Sequence, residues 1–166
     1  MNIKILTQAS VEEYKNIRLQ ALQNEPYSFG GSYEEEVNYQ TDYWQQAVKK
    51  NVIFGAVVDT KIVGILGFYT TVNNKTKHKR FLFAMYVCPE YRAGRIASRL
   101  LQAAIDHAGM IVSQLHLSCT TTNIGALRLY KKHGFKIYGR EPRALKVDGK
   151  FINEYLMILN LRKDKV

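Results

Sequence analysis

The sequence predicts an α/β domain whose mixed, mostly antiparallel sheet is flanked by helices in the order β-α-α-β-β-β-α-β-α-β-β. Three observations lead there. Apolar residues recur at helical spacing through the first third of the chain, then switch at Val52 to strand-like runs. A buried run, residues 81–88, passes through Pro89 and Gly94 directly into a helical segment. Asp148-Gly149 separates two further strand-like runs and closes them as a hairpin.

Each element has its own signal. Residues 3–6 alternate like a strand, and Ser10-Val11-Glu12-Glu13 reads as a capping box. Ile17, Leu19, Ala21 and Leu22 supply the apolar positions of the helix that follows, which stops before Pro26. A second helix starts at Ser32, with Glu34, Glu35 and Glu36 in the first turn, where the helix dipole favours negative charge. Helical character resumes through Tyr43, Trp44 and Val48. Residues 52–58 and 62–68 are strands joined at Asp59-Thr60-Lys61, and the basic turn 73–79 leads to a third strand, 81–88. These three form an antiparallel meander. Residues 95–108 read as a helix on Ile96, Leu100, Leu101, Ala104 and Ile105, with Gly109 as its stop. Residues 111–119 are a strand, and Asn123 caps a short helix ending in Lys131-Lys132-His133-Gly134. Residues 135–147 and 151–161 complete the hairpin.

Composition bounds the class. Hydrophobic residues at 46% and charged residues at 23% belong to a globular protein, not a disordered one. With 166 residues, three prolines, no repeat and no linker, the chain is one domain, 1–166. Two cysteines cannot staple a secreted scaffold, so a reducing cytoplasm is expected. The apolar run 81–88 falls far short of the roughly 20 residues of a membrane span. The first seven residues are too short and too alternating for a signal peptide. Membrane, secreted and fibrous classes are therefore excluded. Lys and Arg number 24 against 14 Asp and Glu, a net charge of +10. That balance favours anionic partners (nucleic acid, acidic protein or a phosphate-rich cofactor) without choosing among them.

Two stretches carry chemistry. In the first, a strand ends at Pro89 and Glu90-Tyr91-Arg92-Ala93-Gly94-Arg95 lead into a helix. The free N–H groups of a helix start can cradle a phosphate, Gly94 can adopt angles that a side chain resists, and Arg92, Arg95 and Arg99 add charge. In the second, Asn123 and Tyr130 lie seven residues apart on one helix face, about 10 Å along the axis. That separation suits an arm of pantetheine length.

The motifs Val87-x-Pro89-x-Tyr91-Arg92-x-Gly94-x-Ile96-Ala97-x-x-Leu100-Leu101 and Asn123-x-x-Ala126-x-x-Leu129-Tyr130-x-x-x-Gly134-Phe135 resemble a GNAT-type N-acetyltransferase. Arg18-Leu19-x-Ala21-Leu22, Phe29 and Ser32-x-Glu34-Glu35 resemble the opening of many small members, and the element order is similar to the GNAT fold over nearly the whole chain. The resemblance implies that the backbone of Met85, Tyr86 and Val87 meets the pantetheine amides of acetyl-CoA. It implies a pyrophosphate loop of Arg92, Ala93, Gly94, Arg95, Ile96, Ala97 and Ser98, with Asn123 on the cofactor arm. Tyr130 would be the catalytic acid that protonates the departing thiolate.

Two departures stand out. The family pattern has a glycine where this chain has Arg95, so that side chain must point away from the pyrophosphate or the loop must shift. Positions where members carry a carboxylate base hold Ser118 and Ala84, which leaves a water chain touching Glu34, Glu35 or Tyr33 to take the amine proton. Cys88 and Cys119 read as core residues, the four histidines show no metal-ligand spacing, and no metal is expected.

The expectation is an acetyl-CoA-dependent transferase that moves an acetyl group to a primary amine, on a small molecule or peptide, by direct attack in a ternary complex. A backbone N–H near Val87 would hold the oxyanion. The alternatives are a GNAT-fold module that binds CoA without catalysis and a basic nucleic-acid-binding domain. Similar proteins commonly form homodimers.

Overall fold

The computed structural model describes residues 1–70 and 73–161, with nothing of the Ala93 side chain. Seven strands form one sheet in the order β1-β2-β3-β4-β5-β7-β6. They are β1 (Asn2–Ile5), β2 (Val52–Val58), β3 (Lys61–Phe68), β4 (Lys79–Val87), β5 (Gln114–Thr120), β6 (Lys136–Val147) and β7 (Lys150–Asn160). Every neighbouring pair is antiparallel except β4–β5, which is parallel. A parallel pair needs a crossover, supplied here by a 3-10 turn, Pro89–Gly94, and the helix α4 (Ile96–Gly109). The remaining helices are α1 (Val11–Asn24), α2 (Tyr33–Glu36), α3 (Thr41–Lys50) and α5 (Ile124–Lys132).

Helices cover both faces. On one, Tyr14, Ile17 and Ala21 of α1 and Trp44 and Val48 of α3 pack on Ile53, Ile65, Ala84 and Tyr86. On the other, Leu100, Leu101, Ala104 and Ala108 of α4 and Leu127 and Tyr130 of α5 pack on Phe54, Leu66, Phe68, Leu115 and Met157. Leu100 and Leu101 are fully buried, and each such side chain contributes roughly 1.5–3 kcal/mol. Gly64 permits this approach, because a Cβ there would lie 3.1 Å from both Leu100 Cδ1 and the Tyr86 carbonyl.

The meander and the terminal hairpin fold as the sequence predicts, within a mixed, mostly antiparallel sheet flanked by helices. Three local expectations need correction. The Ser10 side chain makes no capping bond: Ser10 ends a 3-10 turn, Gln8–Ser10, at φ −104° and ψ 10°, which is not the extended geometry a cap requires. Gly109 is the last residue of α4 rather than its stop. Residues 111–113 precede β5, because the Ile111 and Val112 N–H groups donate back to Ala108 and continue the helix end.

The β2–β3 turn places two side-chain-bearing residues in the left-handed region, Asp59 at φ 45° and Thr60 at φ 72°. A two-residue turn of this kind matches the sheet twist but favours Asn-Gly, and a β-branched residue is strained there. Thr60→Gly is therefore expected to raise stability by about 0.5–1 kcal/mol after the entropy of the added glycine is counted. Thermal unfolding checks this as a rise in Tm of roughly 1–4 °C.

Candidate active site

The parallel pairing of β4 with β5 covers Lys79–Gln114, Arg80–Leu115 and Phe81–His116 only. Beyond it the strands part, and the cause lies in β4. Gly67 pairs with Phe83 but Ile65 pairs with Tyr86, so Ala84 and Met85 bulge opposite a single β3 residue, and Ala84 sits at φ 56°. Strand β5 is held in unbroken register with β7 from Gln114 to Thr120 and cannot follow the bend. Cys88 donates its N–H to the Val63 carbonyl at 2.9 Å. The N–H and C=O of Val87 belong to the opposite edge of the strand and face the gap.

Two cavities flank this gap. One, of about 660 Å³, is lined by Met85, Tyr86, Val87, Arg92 and Ala97 on the β4–α4 side and by Asn123 and Leu129 on the α5 side. The other, of about 450 Å³, is lined by Arg18, Tyr69, Ser118, Cys119, Tyr130 and Glu154. Ser28, Phe29, Met85, Thr120, Asn123 and Ala126 border both, so the cavities adjoin at the gap.

Helix α4 begins at the mouth of the larger cavity. No side chain caps it, so its first N–H groups lack intrahelical acceptors. Arg95 takes the left-handed conformation itself, at φ 57° and ψ 16°. Gly94 has no positive φ and adopts an ordinary 3-10 conformation. The expectation that Gly94 supplies the unusual backbone angles is thus corrected: the strained position is one residue later, and its side chain is exposed. Neither Arg95 nor Arg99 is in an ion pair among the described residues.

The other loop residues divide by what they touch. Arg92 donates through Nε to the Val87 carbonyl at 3.0 Å and through Nη2 to Glu25 Oε1 at 2.7 Å, and it lies over the Tyr86 ring. It therefore ties the loop to the end of β4 and to α1. Ile96 is buried in the core, leaving only its backbone for a ligand. Ala97 lines the larger cavity. Ser98 faces elsewhere: its hydroxyl lies 2.8 Å from His133 Nε2, between α4 and the end of α5. Ala93 contributes a backbone position in the 3-10 turn. On β4, the Tyr86 hydroxyl accepts from Asn24 Nδ2 at 2.8 Å, and Met85 is half-buried against both cavities.

Asn123 does two jobs. Its Oδ1 accepts from the Ala126 N–H at 3.1 Å and caps α5, while its Nδ2 donates to Ser28 Oγ at 3.5 Å. Tyr130, two turns on, is buried with its ring edge against Phe135, and no described residue hydrogen-bonds its hydroxyl. Burial, and more weakly the nearby Cys119, hold that hydroxyl above the usual tyrosine range. Burial pushes the Cys119 thiol up to about 12, so it is not a thiolate at neutral pH.

One functional candidate is absent from the sequence reading. Glu154, on β7, lines the smaller cavity with Ser118. Burial raises its carboxyl, hydrogen bonding with Ser118 opposes the shift, and Glu141, its partner across β6–β7, adds to it. The available signal was a lone acid in a mostly apolar strand, which the β5–β7 register sets opposite Thr120 of β5. Glu34 and Glu35 are exposed, and neither they nor Tyr33 line the cavities, so the expected water chain through them has no path there. Glu36 instead forms a two-bond pair with Arg18, Nε–Oε2 at 3.0 Å and Nη2–Oε1 at 2.7 Å. Among the described residues no group of three His, Cys, Asp or Glu could hold a metal ion. No described helix is long and apolar enough to cross a membrane.

Residues 16–135 match the model of the acetyltransferase (GNAT) family. A stretch of 84 residues is 26% identical to spermidine N(1)-acetyltransferase of Escherichia coli K12, covering 49% of this chain and 45% of that enzyme. The chain thus spans less than half the length of the curated relatives it matches. The crystal structure of a GNAT-family acetyltransferase from Streptococcus pneumoniae superposes with a TM-score of 0.85 at 24% identity, over 96% of this chain and 98% of that one. The structure of yncA, a putative acetyltransferase from Salmonella typhimurium with its cofactor acetyl-CoA, gives 0.85 at 17%, over 100% and 96%. At these identities the likeness is one of fold.

The reversed roles of Gly94 and Arg95 are testable by stability alone. A Cβ on Gly94 would meet only Ile96, at 3.7 Å, so Gly94→Ala should leave stability unchanged or raise it by up to about 1 kcal/mol. Arg95→Val puts a β-branched residue at φ 57° and should cost about 1–2 kcal/mol. Urea unfolding of both variants measures the contrast, and the opposite order would return the strained position to Gly94.

Proposed function

Because the chain belongs to the acetyltransferase (GNAT) family, we propose that it transfers an acetyl group from acetyl-CoA to a primary amine by direct attack in a ternary complex. One observation carries the reading: the β4–β5 gap joins a cavity that opens on an uncapped helix start to a second cavity holding an acid, a buried tyrosine hydroxyl and no reactive thiol. Bound acetyl-CoA supplies a thioester, an acyl group already activated toward an amine.

The residues present fit that donor. The free N–H groups at Ile96, Ala97 and Ser98, with Arg95 and Arg99 beside them, suit a pyrophosphate at the mouth of the larger cavity. Arg92 has its charge shared with Glu25 and acts mainly as a loop anchor. The β4 edge from Met85 to Val87, released from β5, offers backbone groups to the pantetheine amides from one side, and Asn123 faces them from the other. The Val87 N–H is a donor for the carbonyl oxygen of the acyl group.

A primary amine with a pKa near 10 arrives protonated at pH 7. Glu154 is the base in this reading, and the burial that raises its carboxyl brings it closer to the amine in proton affinity. Tyr130 keeps its proton at every working pH and donates it to the departing sulfur. Desolvation strengthens the tyrosine's hold on that proton, but it raises the basicity of a sulfur leaving into the same pocket as well. With the Cys119 thiol held neutral, the amine attacks directly and no acyl-cysteine is needed.

Release of CoA thiol from acetyl-CoA across an amine panel tests the activity. Tyr130→Phe should lower kcat by about 10²–10⁴-fold while acetyl-CoA affinity and Tm hardly move, since no described residue hydrogen-bonds the hydroxyl. Activity within about threefold of the parent would remove Tyr130 from the mechanism.

Glu154→Gln should lower kcat/KM by about 10²–10⁴-fold and abolish the acid limb of its pH profile, a limb the parent should show above the ordinary carboxylate range. The sign for stability is opposite. A carboxyl raised by burial is most favourable to the fold when protonated, so its contribution is lost as pH rises through the folded-state value. The variant should therefore be at least as stable as the parent at pH 7, measured by Tm against pH.

A further inference from the structure

The Arg18–Glu36 pair presents an unused edge to the reaction cavity. Nε and Nη2 of Arg18 are committed to Glu36, and no described residue bonds Nη1, although the side chain is only 12% exposed and lines the smaller cavity. Gly31 keeps the pair at the cavity wall: a Cβ there would collide with Glu36 Oε1 and lie 2.8 Å from Arg18 Nη2. Tyr69, stacked on Phe83 with centroids 4.3 Å apart, also lines the wall and lies within electrostatic reach of the guanidinium. A guanidinium edge and a phenolic hydroxyl together form a donor-rich surface suited to an oxyanion. Opposite in charge, Glu154 is the only acid among the described residues lining this cavity. An acceptor with several ammonium groups would find one carboxylate for all of them, in a protein carrying +10.

We propose that Arg18, with Tyr69 beside it, recognises a carboxylate on the acceptor, so that the amine acetylated is that of a small free amino acid with its ammonium toward Glu154. The proposal rests on the acetyltransferase reading and adds the acceptor class to it. Arg18 is then a specificity residue rather than a catalytic one. Its contact is equal in the ground and transition states, so it acts on KM more than on kcat.

The test measures CoA thiol release by the full chain with leucine, phenylalanine and glutamate, each against its methyl ester and its decarboxylated amine, with spermidine alongside. The expected result is kcat/KM about 10–100-fold higher for at least one acid than for its ester and amine, mostly through KM. The ester's amine is the weaker base and is more deprotonated at pH 7, so the comparison is biased against the proposal. In Arg18→Gln/Glu36→Gln, which removes both charges and strands neither, acid and ester should fall within about threefold of each other. Parent ratios near one, spermidine as the best acceptor, or a double variant that keeps the acid preference would each overturn the proposal. The parent ratio decides even where the variant does not fold. Thiol release with no amine at all, while acetyl-CoA still raises Tm, would overturn the transferase reading and this proposal with it.

Discussion

The sheet of this protein is held apart at one place, and the site depends on it. Two neighbouring strands that share three paired positions would normally continue pairing, because each unpaired buried N–H and C=O is costly. Here β5 is fixed by β7 along its whole length, while the Ala84–Met85 bulge turns β4 away. The β4 backbone beyond the bulge is thus released from β5, its Val87 carbonyl accepting from Arg92 instead, and the helices on either side of the gap, α4 and α5, start at it with their N-termini. Deleting the extra residue of the bulge would slip the rest of β4 by one position against β3 and exchange which of its backbone groups face β5, so register and site geometry are the same constraint.

Helix starts repeat that logic in two ways. Helix α5 has its first turn satisfied by Asn123, whose other side-chain atom reaches Ser28 in the loop after α1. The same loop is tied at Glu25 to Arg92 and, through Tyr27, to Asp148 in the terminal turn. Three ties from distant parts of the chain hold the segment that borders both cavities. Helix α4 is the converse case, left uncapped where an anion can serve as the cap.

Much of this was legible in the sequence, because local patterns specify local structure. Periodicity located the meander and the terminal hairpin, and Asn123 and Gly134 punctuated α5 as their side-chain chemistry dictates. The resemblance at residues 87–101 and 123–135 led to the fold and to both sides of the gap. Glu154 was missed because its role comes from a register 34 positions away, Thr120 against Glu154, which no local pattern reports. The Glu34–Glu36 run misled for a related reason. Three acids in one short helix look equivalent in sequence, yet only Glu36 points inward, to Arg18 from a different helix. Gly94 misled because glycine permits an unusual conformation without requiring it, and the loop places that conformation on Arg95.

Several strained and unsatisfied groups gather at the gap, apart from the positive-φ residues of the turns such as Asp59 and Thr60. Ala84 and Arg95 occupy the left-handed region, the α4 N–H groups lack a cap, and Glu154 is desolvated opposite Glu141. Each costs stability, and each borders the gap or its two cavities. Strain scattered at random over a sheet would be removed by substitutions that also leave function intact. At the gap it persists because the contacts around it, β5 on β7 and α4 on the β2–β4 face, are strong enough to hold it. The binary pattern of the core therefore does more than fold the chain: it supplies the surplus against which an open strand edge, an uncapped helix and a half-buried acid can be maintained.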